Sequence, residues 1–276
     1  MWKEVMKFFD RVVPQKLCSS IKEWFFFFDY LLNNFGRRWE RFSQIEIETN
    51  SLCNRKCAIC PRSTMGKEEG DMDMEIIRNI LTQLKHMKFR GRIAPVFYNE
   101  PTLDSRLEKI ISEMRGMLPR ATIFLYTNGS LATADLFETL SAAGVDVFVV
   151  SQYEKNVPRD GARILSLMRE LSPRTRKKVR YRVLHDVDIL SNRGGLVTVT
   201  HHQKKKRCFR ASTNCVIDFK GNVLLCCDDF TSHYILGNIH KESLEMIWNS
   251  KQAREIRKKL RKGIFENEMC RNCVGQ

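Results

Sequence analysis

Three cysteines, Cys53, Cys57 and Cys60, stand in the run Cys-Asn-Arg-Lys-Cys-Ala-Ile-Cys, just after the strand-like segment Ile45-Glu46-Ile47-Glu48. The C-x3-C-x2-C spacing puts three thiolates on one short loop, enough to ligate three irons of a [4Fe–4S] cube. The fourth iron then has no protein ligand and is open to a small molecule. A cluster that only carries electrons normally has four cysteine ligands. This loop therefore points to a cluster that binds a substrate or cofactor directly. Zinc is the competing reading, but zinc sites favour four ligands arranged as two C-x2-C pairs.

A second set of thiols lies toward the C-terminus. Cys208 is followed by twelve residues, Gly221, four residues and Cys226, and the chain closes on Cys270-Arg271-Asn272-Cys273. Gly221-Asn222 reads as a tight turn between strands Cys215–Phe219 and Val223–Cys227, which would return Cys226 to the side of Cys208. Four thiols gathered in this way suit an iron–sulfur cluster or zinc. Cys227 adjoins Cys226, and alternation along a strand leaves one of the two facing the cluster. Cys18, Cys215 and Cys227 otherwise read as small buried thiols.

The first loop, with Ile59 before its last cysteine and Tyr98-Asn99-Glu100-Pro101 following downstream, resembles the radical S-adenosylmethionine (SAM) superfamily. Asn99 stands where that family usually has glycine. The pattern C-x12-G-x4-C…C-x2-C resembles the C-terminal SPASM/twitch module. Because the sequence ends three residues after Cys273, the shorter twitch form is the better match. Residues 46–55, Tyr126-Thr127-Asn128-Gly129, Ser191-Asn192-Arg193-Gly194-Gly195 and the tail from Cys208 to Cys273 narrow the likeness. They resemble the branch that oxidises a secondary alcohol of an aminocyclitol to a ketone.

The resemblance implies SAM and two [4Fe–4S] clusters as cofactors. The SAM-binding cluster would sit on Cys53, Cys57 and Cys60, and an auxiliary cluster on Cys208, Cys226, Cys270 and Cys273. Glu100 would accept hydrogen bonds from the SAM ammonium, with Tyr98, Asn99, Asn128 and Gln152 as further SAM-binding positions. A 5′-deoxyadenosyl radical would take a hydrogen from a hydroxyl-bearing carbon, and the auxiliary cluster would accept the remaining electron. Arg193 is the candidate catalytic residue. Guanidinium stays protonated, so it suits hydrogen bonding or electrostatic support better than proton abstraction. Arg55 and Lys56 either offset cluster charge or are solvated. The partners implied are a polyol- or sugar-like small molecule and a flavodoxin- or ferredoxin-type reductant. Other readings are an epimerase, a peptide maturase, and an iron–sulfur scaffold without catalysis.

Strands and helices alternate in the order needed to position these groups. Strands are expected at Ile45–Glu48, Ala94–Tyr98, Thr122–Tyr126, Val145–Ser151, Lys178–Leu184 and, more weakly, Val187–Leu190. Helices are expected at Met74–Met87, Leu103–Met114, Ala132–Ala143 and Arg163–Leu171. Asp71 and Asp73 suit the first helix start, and Gly144 suits a helix end. This alternation argues an α/β fold, a partial (β/α)6 TIM-like barrel. A small β-hairpin-plus-helix twitch module follows it. Cys53, Glu100, Asn128 and Gln152 all fall just past strand C-termini, where α/β barrels build their active sites. The expected domains are a helical extension over 1–42, the barrel over 43–200 and the twitch module over 201–276.

The 276 residues, 43% of them hydrophobic, can bury a sizeable core. Thiolate ligands belong in a reducing compartment, and no secretory signal or spanning segment is evident, so the expected location is cytoplasmic. The net charge of +15 opposes long-range attraction of a cationic aminocyclitol. It leaves open a phosphorylated, nucleotide-linked or lipid-linked substrate; no nucleic-acid motif is present and no nucleic-acid partner is expected. The run 251–262 reads as the solvated face of a helix burying Leu244, Ile247, Trp248 and Ile256. Residues 1–42 combine Trp24–Phe28, Phe35 and Trp39 with Lys16, Lys22, Arg37 and Arg38. They suit amphipathic helices that pack across the barrel or lie on an anionic membrane surface.

Overall fold

The computed structural model describes residues 18–36, 40–153, 157–184, 191–199 and 205–276. Helix α1 (Cys18–Asn34) precedes the sheet. Five strands then run parallel: β1 (Gln44–Ile47), β2 (Arg92–Ala94), β3 (Thr122–Thr127), β4 (Val147–Tyr153) and β5 (Val179–Leu184). Helices α2 (Met74–His86), α3 (Leu107–Met117), α4 (Ala134–Ala143) and α5 (Val157–Glu170), with the short α6 (Pro173–Arg176), connect them. The sheet is open. The weak strand expected at Val187–Leu190 lies outside the described residues, as do residues 1–17.

Strand β2 is shorter than expected and ends at Ala94. Pro95 follows and cannot donate a ladder hydrogen bond. The chain then bends through Phe97–Asn99, where the Phe97 N–H donates to the Asn99 side chain at 2.8 Å. Helix α3 begins at Leu107 because Pro101–Leu103 forms a 3-10 turn, after which Asp104 accepts from the Arg106 N–H at 3.0 Å. Helix α2 buries Ile77, Ile80, Leu81 and Leu84 along one face, and Asp73 caps it through the Glu75 N–H at 2.8 Å.

Side-chain alternation divides the sheet into two faces. Ile45, Ile47, Ile93, Ile123, Leu125, Phe148 and Val150 join the main core against the helices. Their neighbours point the other way, into the barrel lumen: Ala94, Phe124, Val147 and Val149 form a small apolar patch, and Gln44, Glu46, Arg92 and Tyr126 line a cavity. Parallel strands covered on both faces usually read as continuous apolar runs. Here the lumen face mixes an apolar patch with Gln44, Glu46 and Arg92, which suits a barrel that holds a ligand.

The C-terminal part extends the same sheet. Helix α7 (Arg210–Thr213) leads into β6 (Asn214–Ile217), which pairs in parallel with β1. Antiparallel β7 (Asn222–Leu224) and β8 (Ile235–Asn238) complete one eight-stranded sheet, ordered β5-β4-β3-β2-β1-β6-β7-β8. The hairpin turn is Asp218–Gly221 rather than Gly221-Asn222. Asp218 accepts the N–H groups of Lys220 and Asn222, Gly221 takes φ +79°, and Asn222 belongs to β7.

Helices α8 (Leu244–Trp248), α9 (Lys251–Arg261) and α10 (Glu268–Val274) follow. Leu244, Ile247 and Trp248 are buried as expected. The basic run on α9 is not wholly solvated. Arg257 is fully buried, lies 4.1 Å from the Trp248 ring and pairs with Glu40 at 2.9 Å. It sits on the same helix stripe as Ala253 and Leu260, so its position, not its charge, sets its burial.

Candidate active site

The cysteine loop leaves β1 and is closed at its base. The Ser51 N–H donates to the Gly70 carbonyl at 2.8 Å, and Arg62 donates to the Ser51 carbonyl at 2.6 Å. Glu48 is buried and pairs with Lys67 of the same loop. Its other contacts are the N–H groups of Tyr98 and Phe219. The Lys67 ammonium also lies 4.8 Å from the Phe97 ring centroid. Within this frame the Cys60 N–H donates to the Cys57 carbonyl at 2.9 Å, and Cys53, Cys57 and Cys60 all line the lumen cavity. Burial pushes the Cys57 thiol up to about 11, with Cys60 and Cys53 adding to it. A positive metal centre must therefore displace protons to bind there.

Glu100 lines the same cavity and is 2% exposed. Its carboxylate accepts from the hydroxyls of Thr127 and Thr102, each at 2.7 Å, and from the Asn128 N–H at 2.7 Å. The Glu100 N–H donates to the Leu52 carbonyl beside Cys53 at 2.7 Å, tying the two segments together. Tyr98 and Asn99 line the cavity, and the Tyr98 hydroxyl is buried with no partner.

Asn128 and Gln152 are largely engaged with the protein. The Asn128 amide donates to Asn54 at 2.9 Å, inside the cysteine loop. Gln152 is fully buried, donates to the Asn128 carbonyl at 2.7 Å and accepts from Arg55 at 3.3 Å. Arg55 also donates to the Ser130 hydroxyl at 2.7 Å. Asn128 lines the cavity and Gln152 does not. Both brace the loop, and Arg55 is a cross-link, not a solvated charge.

Arg193 enters the cavity from a strained turn. It has φ +53°, followed by Gly194 at +70° and Gly195 at +96°. A non-glycine residue held at positive φ marks a conformation imposed by its surroundings. Here α10 imposes it. A Cβ on Gly194 would meet Met269 at 2.5 Å, one on Gly195 would meet Asn272 at 2.8 Å, and Asn192 donates to the Asn272 carbonyl at 2.8 Å. The Arg193 guanidinium pairs with buried Asp228 at 3.4 Å and lies 5.8 Å from the Tyr98 ring. Arg210 pairs with the other Asp228 oxygen at 3.5 Å. Although burial opposes ionisation, the two guanidiniums hold the Asp228 carboxyl below its usual range.

The C-terminal thiols gather behind that carboxylate. Cys226 and Cys270 are buried with Leu225, Leu260, Phe265 and Val274, and Cys208 packs against them. Cys273 Sγ is 3.7 Å from Asp228. Cys270 and Cys273 share one face of α10 by their three-residue spacing, and burial pushes each thiol up to about 12. The Cys226/Cys227 pair departs from the expected strand alternation. Strand β7 ends at Leu224, so alternation no longer applies, and the two sulfurs and an Asp228 oxygen lie within 4.8 Å of one another. Cys227 lines the lumen cavity and accepts from Arg210 at 3.4 Å, whereas Cys226 is not among the cavity residues.

Sequence comparison assigns residues 47–153 to the radical SAM superfamily and residues 208–274 to the SPASM iron–sulfur cluster-binding domain. The S-adenosyl-L-methionine-dependent 2-deoxy-scyllo-inosamine dehydrogenase of Niallia circulans is 34% identical over 238 residues, covering 84% of this chain and 92% of that protein. The chain belongs to the radical SAM superfamily. The crystal structure of BtrN in complex with AdoMet and 2-DOIA matches with a TM-score of 0.77 at 33% identity, covering 85% of this chain and 94% of that one. BtrN in an open conformation matches with a TM-score of 0.66 at 29% identity. A tungsten-containing aldehyde ferredoxin oxidoreductase cofactor-modifying protein of Pyrococcus furiosus is 31% identical over 113 residues, covering 38% of this chain and 29% of that protein.

A radical SAM enzyme with a SPASM domain uses SAM, a [4Fe–4S] cluster and auxiliary iron–sulfur chemistry, and the side chains fit these groups. The first three thiols and Glu100 line one cavity of about 400 Å³, together with Tyr98 and Asn99. The second thiol group is a soft-donor set packed among apolar side chains. The lumen also presents groups that motif reading missed. Glu46 accepts from Asn214 at 3.1 Å, while Asn214 Oδ1 is buried without a partner. Desolvation pushes the Glu46 carboxyl up against the pull of Arg92 and of that hydrogen bond. Arg92 donates to Tyr126 at 3.0 Å and to Gln44. The signal was present in the sequence: Gln44-Ile45-Glu46-Ile47 alternates polar and apolar residues within a parallel strand.

Proposed function

We propose that this enzyme is a SAM-dependent dehydrogenase that oxidises a secondary alcohol of a cyclitol or related polyol to a ketone. Cys53, Cys57 and Cys60 hold the SAM-binding cluster, and Cys208, Cys226, Cys270 and Cys273 hold a single auxiliary cluster. The likeness to a dehydrogenase over 92% of that protein's length carries this reading. The contacts of Asp228 with both Arg193, which lines the cavity, and Cys273 support it. Domain boundaries near residues 43 and 201 and a reducing, cytoplasmic location fit the same reading. The proposed electron donor is a flavodoxin- or ferredoxin-type protein.

When bound, SAM and its cluster supply the removal of a hydrogen atom from carbon, and the auxiliary cluster supplies an electron sink. The protein orients and desolvates the substrate. Glu100, fixed by Thr102, Thr127 and the Asn128 N–H, offers its carboxylate to the ammonium of SAM. Arg193 donates to the substrate oxygen and stabilises negative charge developing on it, with Asp228 holding the guanidinium in place. Glu46, held by the Asn214 amide, accepts from a hydroxyl or amino group elsewhere on the substrate ring. Glu46, a carboxyl in the lumen wall that desolvation makes more basic, is the proposed proton acceptor.

Iron and sulfide analysis after anaerobic reconstitution tests the cofactor assignment. Roughly eight irons in the wild type and roughly four in a Cys53/Cys57/Cys60→Ala variant are expected. Roughly four falling to none would remove the electron acceptor and overturn the dehydrogenase mechanism. The substrate class is tested by incubation with a panel of cyclitols and polyols, 2-deoxy-scyllo-inosamine among them. Ketone formation matching 5′-deoxyadenosine release is the expected result.

A further inference from the structure

Helix α1 has two faces, and the proposed chemistry uses only the inner one. Phe26 lines the lumen cavity. Phe27 meets the Phe209 ring at 5.3 Å, and Arg261 lies over the Tyr30 ring at 4.4 Å. Asp29 is 2% exposed and accepts from Ser43 and Asn33. These contacts fix α1 across the end of the barrel and make it part of the cavity wall.

Among the described residues, the outer face is apolar and exposed. Trp24, Phe28, Leu32 and Phe35 are 60%, 50%, 64% and 87% exposed. Their spacing of four, four and three residues places them on one stripe, and the Trp24 and Phe28 rings stack at 5.9 Å. Exposed apolar side chains scattered singly need no explanation, but a contiguous aromatic ridge marks an interaction site. Helix α9 is joined to the inner side of α1 through Arg261, and its Lys251, Lys258 and Lys262 are exposed. The chain carries +15 overall, and among the described residues no helix is long and apolar enough to cross a membrane.

We propose that the outer face of α1, on a strongly basic chain, docks this enzyme on an anionic phospholipid surface. Aromatic and leucine side chains on one helix face suit the boundary between headgroups and acyl chains. Anionic headgroups complement the charge. A second copy of this chain is the poorer occupant, because two such strongly basic surfaces repel one another. Docking would set the α1 wall of the cavity at the lipid boundary and hold the enzyme near membrane-borne substrates or electron donors. It does not depend on the dehydrogenase reading.

The test is co-sedimentation of the reconstituted full chain with phosphatidylcholine vesicles and with vesicles containing phosphatidylglycerol, at low and physiological salt. The wild type is expected to pellet with the anionic vesicles and to bind neutral ones about tenfold or more weakly. A Phe28→Glu/Phe35→Glu variant is expected to lose about tenfold or more in binding while still cleaving SAM. A Lys251/Lys258/Lys262→Gln variant is expected to lose the salt-sensitive part. Three results would overturn the proposal. One is absence of binding to anionic vesicles. Another is binding that the Phe28/Phe35 variant retains, which assigns it to another segment such as residues 1–17. The third is a dimer in solution that this variant dissociates without any vesicle binding, which assigns the face to a second copy.

Discussion

Glu100 and Gly194 show how single side chains set the geometry of this site. Glu100 is buried; its Oε1 accepts from the Thr102 and Thr127 hydroxyls and its Oε2 from the Asn128 N–H, which leaves acceptor capacity on Oε2 for a ligand. Glu100→Gln keeps the shape but removes the charge and turns an acceptor into a donor. We expect SAM affinity to fall about 10- to 100-fold, the worth of a hydrogen bond to a charged group, with iron content unchanged. Anaerobic titration calorimetry alongside iron analysis checks this; unaltered affinity would remove Glu100 from SAM binding. Gly194 has φ +70°, and an added Cβ would come within 2.5 Å of Met269. Gly194→Ala should destabilise the fold by about 1–2 kcal/mol, the penalty for a left-handed non-glycine residue. Because the same turn aims Arg193, substrate turnover should fall more than SAM cleavage without substrate. Equal losses in both would show that the turn is only structural.

At the scale of elements, the cysteine loop, β3 and β4 form one braced unit. Asn54, Arg55, Asn128, Ser130 and Gln152 connect their ends by hydrogen bonds. Helix α9 is braced differently. Arg257 is fully buried against Trp248 and relies on Glu40, which also pairs with Arg261 at 2.8 Å. Removing one partner of a buried ion pair leaves an uncompensated charge, whereas replacing both is much milder. Glu40→Gln is therefore expected to lower unfolding stability by about 3 kcal/mol, and the double variant with Arg257→Met to recover most of that loss. Chemical denaturation measures both. A double variant no more stable than the single one would place the stabilisation elsewhere, for example in the Arg261 contact.

At the scale of the whole molecule, β1 carries the design. It pairs with β2 on one side and β6 on the other, so one sheet passes from the barrel into the cluster-binding tail. Its lumen face presents Glu46, and its end opens into the cysteine loop. The tail returns through α10 to clamp the Arg193 turn. The first thiol group lines the lumen cavity; of the tail cysteines Cys227 lines it too, while Cys226 packs on the tail side. Cys227→Ser should keep the full iron content, whereas Cys226→Ser should lose about four irons, the auxiliary cluster. The reverse result would exchange the two assignments. Such a swap is possible because the two sulfurs and an Asp228 oxygen lie within 4.8 Å of one another.

The sequence by itself determined the chemistry and the order of the elements. Cysteine spacing is local, strand–helix periodicity is local, and Glu100 follows its strand by a few residues; each can be read without knowing what packs against it. Only the tertiary structure decided the rest, because those facts depend on residues far apart in the chain. Pairing between β1 and β6 makes Glu46 and Asn214 neighbours across 168 positions. Burial of Arg257 depends on Glu40, 217 positions away. The strain at Arg193 comes from α10, not from its own dipeptides. The hairpin turn shifted because the Asp218 carboxylate captured two backbone N–H groups, and Cys226 and Cys227 escaped alternation because β7 ended before them. The aromatic run of α1 was legible as amphipathic. Which face covers the barrel and which is left bare was set by Phe209, Ser43 and Arg261, groups that the fold alone brings to that helix.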